Sequence, residues 1–400
     1  MDRVSASEAE GRPFESGRAR QTCLPVPSPF LSQKSDLSAT SARGLRQPAI
    51  SLRRDLAKAG RALVMAPQAS TGDSHRRDTI VIGGSAGSTE ALTALLPQLS
   101  PRIPAAIFVV THLLPDAKSH LVDALNTVGP LVAKVAEDGE DIAHGMVYVA
   151  PSDRHLLLKR GSIRITRGPR ENRWRPAVDP LFRSAAVAYG PRVIGIVLSG
   201  MLDDGTAGLD AIKRCGGVAV VQDPEEAAFP DMPRSALANV AIDHKVAVAE
   251  MGPVLEKLMQ AAVAESGQTP RDVEVEARIA ETGYSDERIT GALGELSDLS
   301  CAECGGPLWK NQSGDLTRYR CRVGHAYTES ALLSAAGEAI ESSIWAAVRL
   351  FDQRANILTT MAEKDRDARR PRLVEHHQEL AAEAREHANV LRRLLMIEHR

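Results

Sequence analysis

Residues 79–99 read TIVIGGSAGSTEALTALLPQL, and the architecture follows from them. The β-branched run Thr79-Ile80-Val81-Ile82 predicts a buried strand. Gly83-Gly84-Ser85-Ala86-Gly87 predicts a tight turn, in which glycines let the backbone bend and keep Cβ atoms away from the serine hydroxyl. Ser88-Thr89-Glu90 then opens a helix with capping residues and a first-turn acid. Strand, sharp turn, serine and helix fit three uses. One is the G-x-S-x-G elbow that presents a nucleophile at the carboxyl edge of an α/β sheet. A second is a phosphate-binding turn at a helix N-terminus. The third is plain tight packing. The stretch lacks both G-x-G-x-x-G spacing and the Gly-Lys-Ser/Thr end of a P-loop.

Outward from this turn the alternation continues to about residue 258. AAIFVVTHL (105–113), RVIGIVLSGM (192–201) and GVAVVQD (217–223) read as buried strands, and GMVYVAP (145–151) and HLLLKRGSIRITRG (155–168) as extended or hairpin segments. Helices are predicted around 90–96, 117–126, 181–189, 205–214, 233–239 and 250–261. Such alternation specifies α/β with a doubly wound, mainly parallel sheet, whose ligand sites lie beyond the carboxyl ends of its strands. At those ends stand Ser85, His112, and Asp203 with Asp204. A serine nucleophile needs a base about 3 Å away, and the base needs an orienting acid. His120, His144 and His155 compete with His112, but none ends a predicted buried strand. Either aspartate can instead cap the helix that begins at Gly205.

The chain has 400 residues and a net charge of −2, so two or three domains are expected and nothing argues for nucleic acid. No apolar run is long enough to span a membrane, no secretory signal pattern opens the chain, and a cytoplasmic location is the default expectation. Residues 1–77 are rich in Ser, Pro, Arg and Ala and read as a disordered leader, with Met65 an alternative start. Residues 78–262 form the α/β domain and the acid-rich stretch 263–300 a linker with partial helix. Residues 301–327 hold Cys301-x2-Cys304, a gap of about sixteen residues, and Cys321-x3-His325, the spacing of a structural zinc site, the alternative being a packed miniature domain without metal. Residues 328–400 are helical: Ile340, Ile344, Ala347, Val348 and Phe351, then Leu380 to Leu395 after Pro371, give two apolar stripes and hence a helical hairpin. That hairpin offers a surface for self-association, for docking a signalling partner or for packing back on the zinc module, while 363–372 reads as its solvated turn.

IGGSAGSTEAL, VVTHLLP, VYVAPSDRHLLL, RPAVDPLFRSAA, LSGMLDDGTAGL and FPDMPRSA, in this order, resemble the catalytic domain of the chemotaxis protein-glutamate methylesterase (CheB-type) family over about 78–258. The resemblance implies a Rossmann-like methylesterase domain with catalytic Ser85, His112 and Asp204, the acid directly before the glycine rather than Asp203. It also implies an oxyanion hole using the backbone of Met201, with Ala86 after the nucleophile. The order Ser, His, Asp differs from the Ser, Asp, His of ordinary α/β-hydrolases. The implied activity is hydrolysis of glutamyl methyl esters on a methylated receptor or other signalling protein, with glutamine deamidation as a second activity and no catalytic cofactor. Arg175, Asp179 and Arg183 read as a structural ion-pair network, and Arg234 as a border of the site. Nothing before Asp78 resembles the receiver domain that many members carry. CAECGGPLWK (301–310) and YRCRVGHAYTESALL (319–333) resemble modules fused to stand-alone methylesterase domains. The alternatives are a non-catalytic signalling scaffold that works through the zinc-helix region, and a serine esterase for an unrelated ester.

Overall fold

β-branched runs need cover on both faces, and the helices between them supply it. The computed structural model describes residues 76–113, 115, 120–263, 267–314 and 316–397. Its first part runs β1 (Thr79–Gly84), α1 (Ser88–Leu95), β2 (Ala106–Thr111), α2 (Leu121–Val128), β3 (Val132–Val135), β4 (Met146–Val149), β5 (His155–Lys159) and β6 (Ser162–Thr166). It continues α3 (Val178–Tyr189), β7 (Val193–Val197), α4 (Thr206–Arg214), β8 (Val218–Gln222), α5 (Asp231–Asn239), β9 (His244–Val246) and α6 (Val248–Gln260). Seven strands pair in parallel in the order β3-β4-β2-β1-β7-β8-β9, while β5 and β6 form a separate antiparallel hairpin.

Side chains alternate across β1. Ile80 and Ile82 face α1, α2 and α6, and Val81 faces α3, α4 and α5. Each face therefore closes its own apolar core. The chain runs from β1 outward to β2, then returns across β1 to β7, so β1 lies between the two halves of the sheet. A crevice forms at such a reversal, beyond the carboxyl ends.

The second part runs α7 (Arg271–Thr282), α8 (Glu287–Gly291), β10 (Glu295–Ser300), β11 (Pro307–Ser313), β12 (Leu316–Cys321), β13 (Ala326–Thr328), α9 (Glu329–Asp367) and α10 (Pro371–Ile397). Strands β10 to β13 make a four-stranded antiparallel sheet. The stretch read as a linker carries α7, whose Val273 joins the core over α3, and β10, which pairs with β11. The acid-rich composition hides this because α7 buries a glutamate, Glu276, as well as apolar residues.

The two long helices pack antiparallel through Val348, Ala355, Leu358 and Ala362 of α9 and Ala381, Ala384, Ala388 and Leu395 of α10. Ile340, on the predicted stripe, is exposed, because α10 has 27 residues against 39 in α9 and does not reach it. Among the described residues no helix is long and apolar enough to cross a membrane. The described residues belong to one compact unit, Met65–Arg400. Almost all of the segment read as a leader, Met65 included, lies outside the described residues; Arg76 pairs with Ala262.

Candidate active site

Ser85 follows β1, His112 follows β2, and Asp204 lies in the turn between β7 and α4. These strands are neighbours, so the three residues meet at one edge. Ser85 Oγ is 3.0 Å from His112 Nδ1, and His112 Nε2 is 2.8 Å from Asp204 Oδ2. The carboxylate accepts from Nε2–H, which leaves the Nδ1 lone pair for the serine proton. The ring is thus turned the opposite way from the Ser-His-Asp template, where Nε2 faces serine.

The turn carrying Ser85 needs its glycines. Gly87 has φ 76° at the head of α1, and a Cβ there would stand 2.7 Å from Ser199 Oγ. A Cβ on Gly200 would come within 2.9 Å of Ser85 Cβ and 2.0 Å of Met232 Sδ, so only glycine lets the two turns approach. The expected side-chain cap of α1 is absent; Ser88 Oγ instead donates to the Ser85 carbonyl, which fixes the turn. The N–H of Ser85 donates to Ser199 O and that of Gly200 to Phe229 O. The N–H groups of Ala86 and Met201 make no hydrogen bond among the described residues.

Asp204 is buried and heavily hydrogen-bonded. Its Oδ2 accepts from Val178 N at 2.7 Å, and Oδ1 from Asn172 Nδ2 at 2.9 Å and Asp179 N at 3.3 Å. Burial pushes its carboxyl up, but the hydrogen bond and charge of His112 and the donors around it outweigh this and hold it below the usual range. Burial and the neighbouring Asp204 charge push Asp179 up. Asp203 points elsewhere, accepting from Thr328 Oγ at 2.7 Å, which separates two aspartates that spacing alone leaves open.

Trp174 lies flat on the His112 ring, with centroids 4.5 Å apart and planes 8° from parallel. Neither Trp174 nor Asn172 was singled out in the sequence, although both flank the RPAVDPLF stretch; contact with the imidazole and the carboxylate depends on the loop path, which no spacing encodes. The competing histidines have other duties. His155 is buried, kept below its ordinary pKa by burial, and bonded to Pro169 O and Ala177 N. His144 lies 3.7 Å from Asp78, and His120 precedes α2 on the surface. Arg175 pairs with Asp153, and Arg183 with Glu171 and Glu276. Arg234 is exposed on α5, with no side-chain hydrogen bond or ion pair to the triad among the described residues.

In the Cys-rich sheet, one ligand atom from each of Cys301, Cys304, Cys321 and His325 lies within 4.8 Å of the others. Cys304 Sγ is 3.6 Å from Cys321 Sγ, and His325 Nδ1 is 3.7 Å and 3.5 Å from the sulfurs of Cys301 and Cys321. The edges of a zinc tetrahedron with ordinary bond lengths are about 3.8 Å for S–S and about 3.6 Å for S–N. The residues present therefore fit such an ion. Glu303, 3.3 Å from His325 Nε2, supplies the outer partner that metal-bound imidazoles commonly have.

The constellation defines an α/β protein with a Ser-His-Asp chain at the carboxyl ends of three adjacent strands. The model of the CheB methylesterase family matches residues 80–255. A protein-glutamate methylesterase/protein-glutamine glutaminase of Yersinia pestis bv. Antiqua is 38% identical over 196 residues, 48% of this chain and 54% of that protein. A relative from Leptospira interrogans is 36% identical over 184 residues, 46% of this chain and 95% of its own length. The crystal structure of the Thermotoga maritima CheB methylesterase catalytic domain is 33% identical, covers 46% of this chain and 98% of that one, and has a TM-score of 0.43. This chain belongs to the CheB methylesterase family. It spans about half the length of the Yersinia relative.

Proposed function

We propose that this protein hydrolyses the methyl ester of a glutamyl side chain on a methylated, chemoreceptor-type signalling protein, with residues 78–262 as its catalytic domain. The observation that carries this reading is the hydrogen-bond chain from Ser85 Oγ through His112 to Asp204. His112 Nδ1 takes the serine proton as Oγ attacks the ester carbonyl. Asp204 holds the ring and balances its charge without itself taking the proton. The oxyanion of the tetrahedral intermediate accepts from the N–H groups of Ala86 and Met201. His112 then protonates the departing methanol, leaving a glutamyl ester of Ser85. Water, deprotonated by His112, cleaves that ester and releases the carboxylate. A glutamine side chain follows the same course with ammonia leaving, so deamidation is the second activity.

Cys301, Cys304, Cys321 and His325 are the residues that would hold a structural zinc. When bound, it would cross-link the two turns of a small sheet whose own core is one cluster around Leu308, Tyr319, Tyr327 and Leu332. Four protein ligands leave no open position on it, so the reaction is carried by the triad.

The test is methanol release from a peptide bearing a glutamyl γ-methyl ester. Ser85→Ala is expected to lower kcat roughly 10⁴-fold or more with an unchanged melting temperature. Turnover by Ser85→Ala at the wild-type rate would remove the nucleophile from the mechanism, and absence of turnover by the wild type would favour the scaffold reading.

A further inference from the structure

Residues 170–174, between β6 and α3, touch the triad on one side and the Cys-rich module on the other. Toward the triad, the Asn172 amide nitrogen donates to Asp204 Oδ1 at 2.9 Å and to Asp179 Oδ2 at 3.0 Å. Two residues on, the Trp174 ring covers the His112 imidazole. Toward the module, Asn172 N donates to Ala326 O at 2.8 Å, and Thr328 N donates to Asn172 Oδ1 at 3.1 Å. Arg173 donates to Ser334 Oγ at 2.6 Å and pairs with Glu338, both on α9. Arg320 of β12 reaches Glu171 at 3.3 Å.

The loop is a tight turn closed by paired backbone bonds, Trp174 N to Glu171 O at 2.9 Å and Glu171 N to Trp174 O at 3.2 Å, and the module holds it from outside as well. Asn172 and Arg173 are successive non-glycine residues with φ 48° and 72°. Left-handed backbone is uncommon at a residue such as Arg173, and beside the turn's own bonds β13 and the first turns of α9 fix it, through Ala326 O, Ser334 and Glu338. The Asn172 amide is also used at both ends: its oxygen is occupied by the module and its nitrogen by the two carboxylates. A flipped amide would turn its oxygen toward two carboxylate oxygens, so the contact with Thr328 fixes which end faces Asp204.

We propose that Asn172 and Trp174 are positioning residues for Asp204 and His112, and that β13 with the first turns of α9 holds them in place, so that the Cys-rich module determines how completely the triad is assembled. This deepens the catalytic reading above and rests on it. An interface that merely joined two folded parts would not need its central amide on the catalytic acid.

The test uses the full chain and two readouts: methanol release from the ester peptide, and the rate at which a fluorophosphonate labels Ser85. The second reports triad assembly without any natural substrate. Asn172→Gly keeps the left-handed backbone accessible and deletes the amide; it is expected to lower both kcat and the labelling rate about 10- to 100-fold while KM stays within about twofold. Ser334→Ala combined with Glu338→Ala acts from the module side, by removing both side-chain partners of Arg173, and is expected to lower both about 3- to 10-fold. Trp174→Ala is expected to lower both at least about tenfold, and Trp174→Phe, which keeps a flat ring on the imidazole, to recover to within about threefold of wild type. Metal content and melting temperature, measured on each variant, keep loss of fold apart from loss of position. The proposal is overturned if the folded variants label and turn over like wild type, if KM alone changes, or if phenylalanine at 174 is no better than alanine. A wild type that labels at Ser85 but releases no methanol would sink the methylesterase reading while leaving the positioning test intact; a wild type that does neither would sink both.

Discussion

Around β1 the contacts are Ile80, Ile82, Val109 and Ile196, all apolar and all buried; where the Cys-rich module meets the α/β domain and α7, Glu171, Arg183, Glu276, Arg318 and Arg320 form a cluster that is ionic and also buried. Each aliphatic side chain of the first group contributes about 1.5–3 kcal/mol through its burial alone, whatever its exact neighbour. The second group works differently. Burying a charge costs several kcal/mol, and only the opposite charge in contact offsets it. Arg318 meets Glu276 at 2.6 Å, Arg183 meets Glu171 and Glu276, and Arg320 meets Glu171. An apolar core tolerates substitution by degrees, whereas this cluster is complete or costly. It is therefore a demanding joint, and it fixes how the module sits.

Three measurements press on this contrast. If Cys301, Cys304, Cys321 and His325 hold zinc as proposed, chelating it from the full chain is expected to strip hydrogen-exchange protection from β10 to β13 while β1, β2, β7 and β8 keep theirs, because the small sheet would then depend on that cross-link and the large one on its core. Equal protection in both sheets before and after chelation would remove the distinction. Next, Arg318→Ala leaves Glu276 short of its nearest cation and is expected to destabilise the chain by about 3–5 kcal/mol, read by denaturant melting. A change under about 1 kcal/mol would mean that the cluster is wetter or looser than its burial implies.

The third is acidification. Burial pushes Glu276 up, but Arg318, then Arg183 and Arg320, outweigh it and pull its carboxyl down to about 2. A folded pKa below the ordinary 4.5 means that its contribution is present above about pH 4.5 and is lost as the pH falls through about 2. Stability should fall across that window by up to about 3 kcal/mol from this group, read as a falling melting temperature, and the fall should be shallower in Glu276→Gln. An identical acid limb in the two proteins would assign the loss to other groups.

The contrast also explains what could be read ahead of the structure. The sheet announces itself in Thr79-Ile80-Val81-Ile82 and its counterparts because apolar periodicity is local and repeats. Ser85, His112 and Asp204 were reachable because each ends or follows such a run. Choosing Asp204 over Asp203 needed a family resemblance, since two adjacent acids differ only in the direction they face; the structure turns Asp203 to Thr328 and Asp204 to His112. Asn172, Trp174 and Glu276 were out of reach. Their partners lie far along the chain, Thr328 for the first and Arg318 for the last, and a charged or polar residue carries no periodic sign of the distant group it will meet. Residues 263–300 read only as a linker with partial helix for the same reason, since no apolar period announces α7 or β10.

One helix has a reach worth measuring. Glu329 to Asp367 is a continuous run of 39 residues, so α9 is a rod about 58 Å long at the usual rise per residue. Its near end holds Ser334 and Glu338 against Arg173, while its far end, braced by α10, lies some ten turns away. A molecule gripping that far tip would stand several nanometres from Ser334. From there it would touch nothing near Arg173, yet a tilt of only a few degrees at the tip would be felt at the base as leverage.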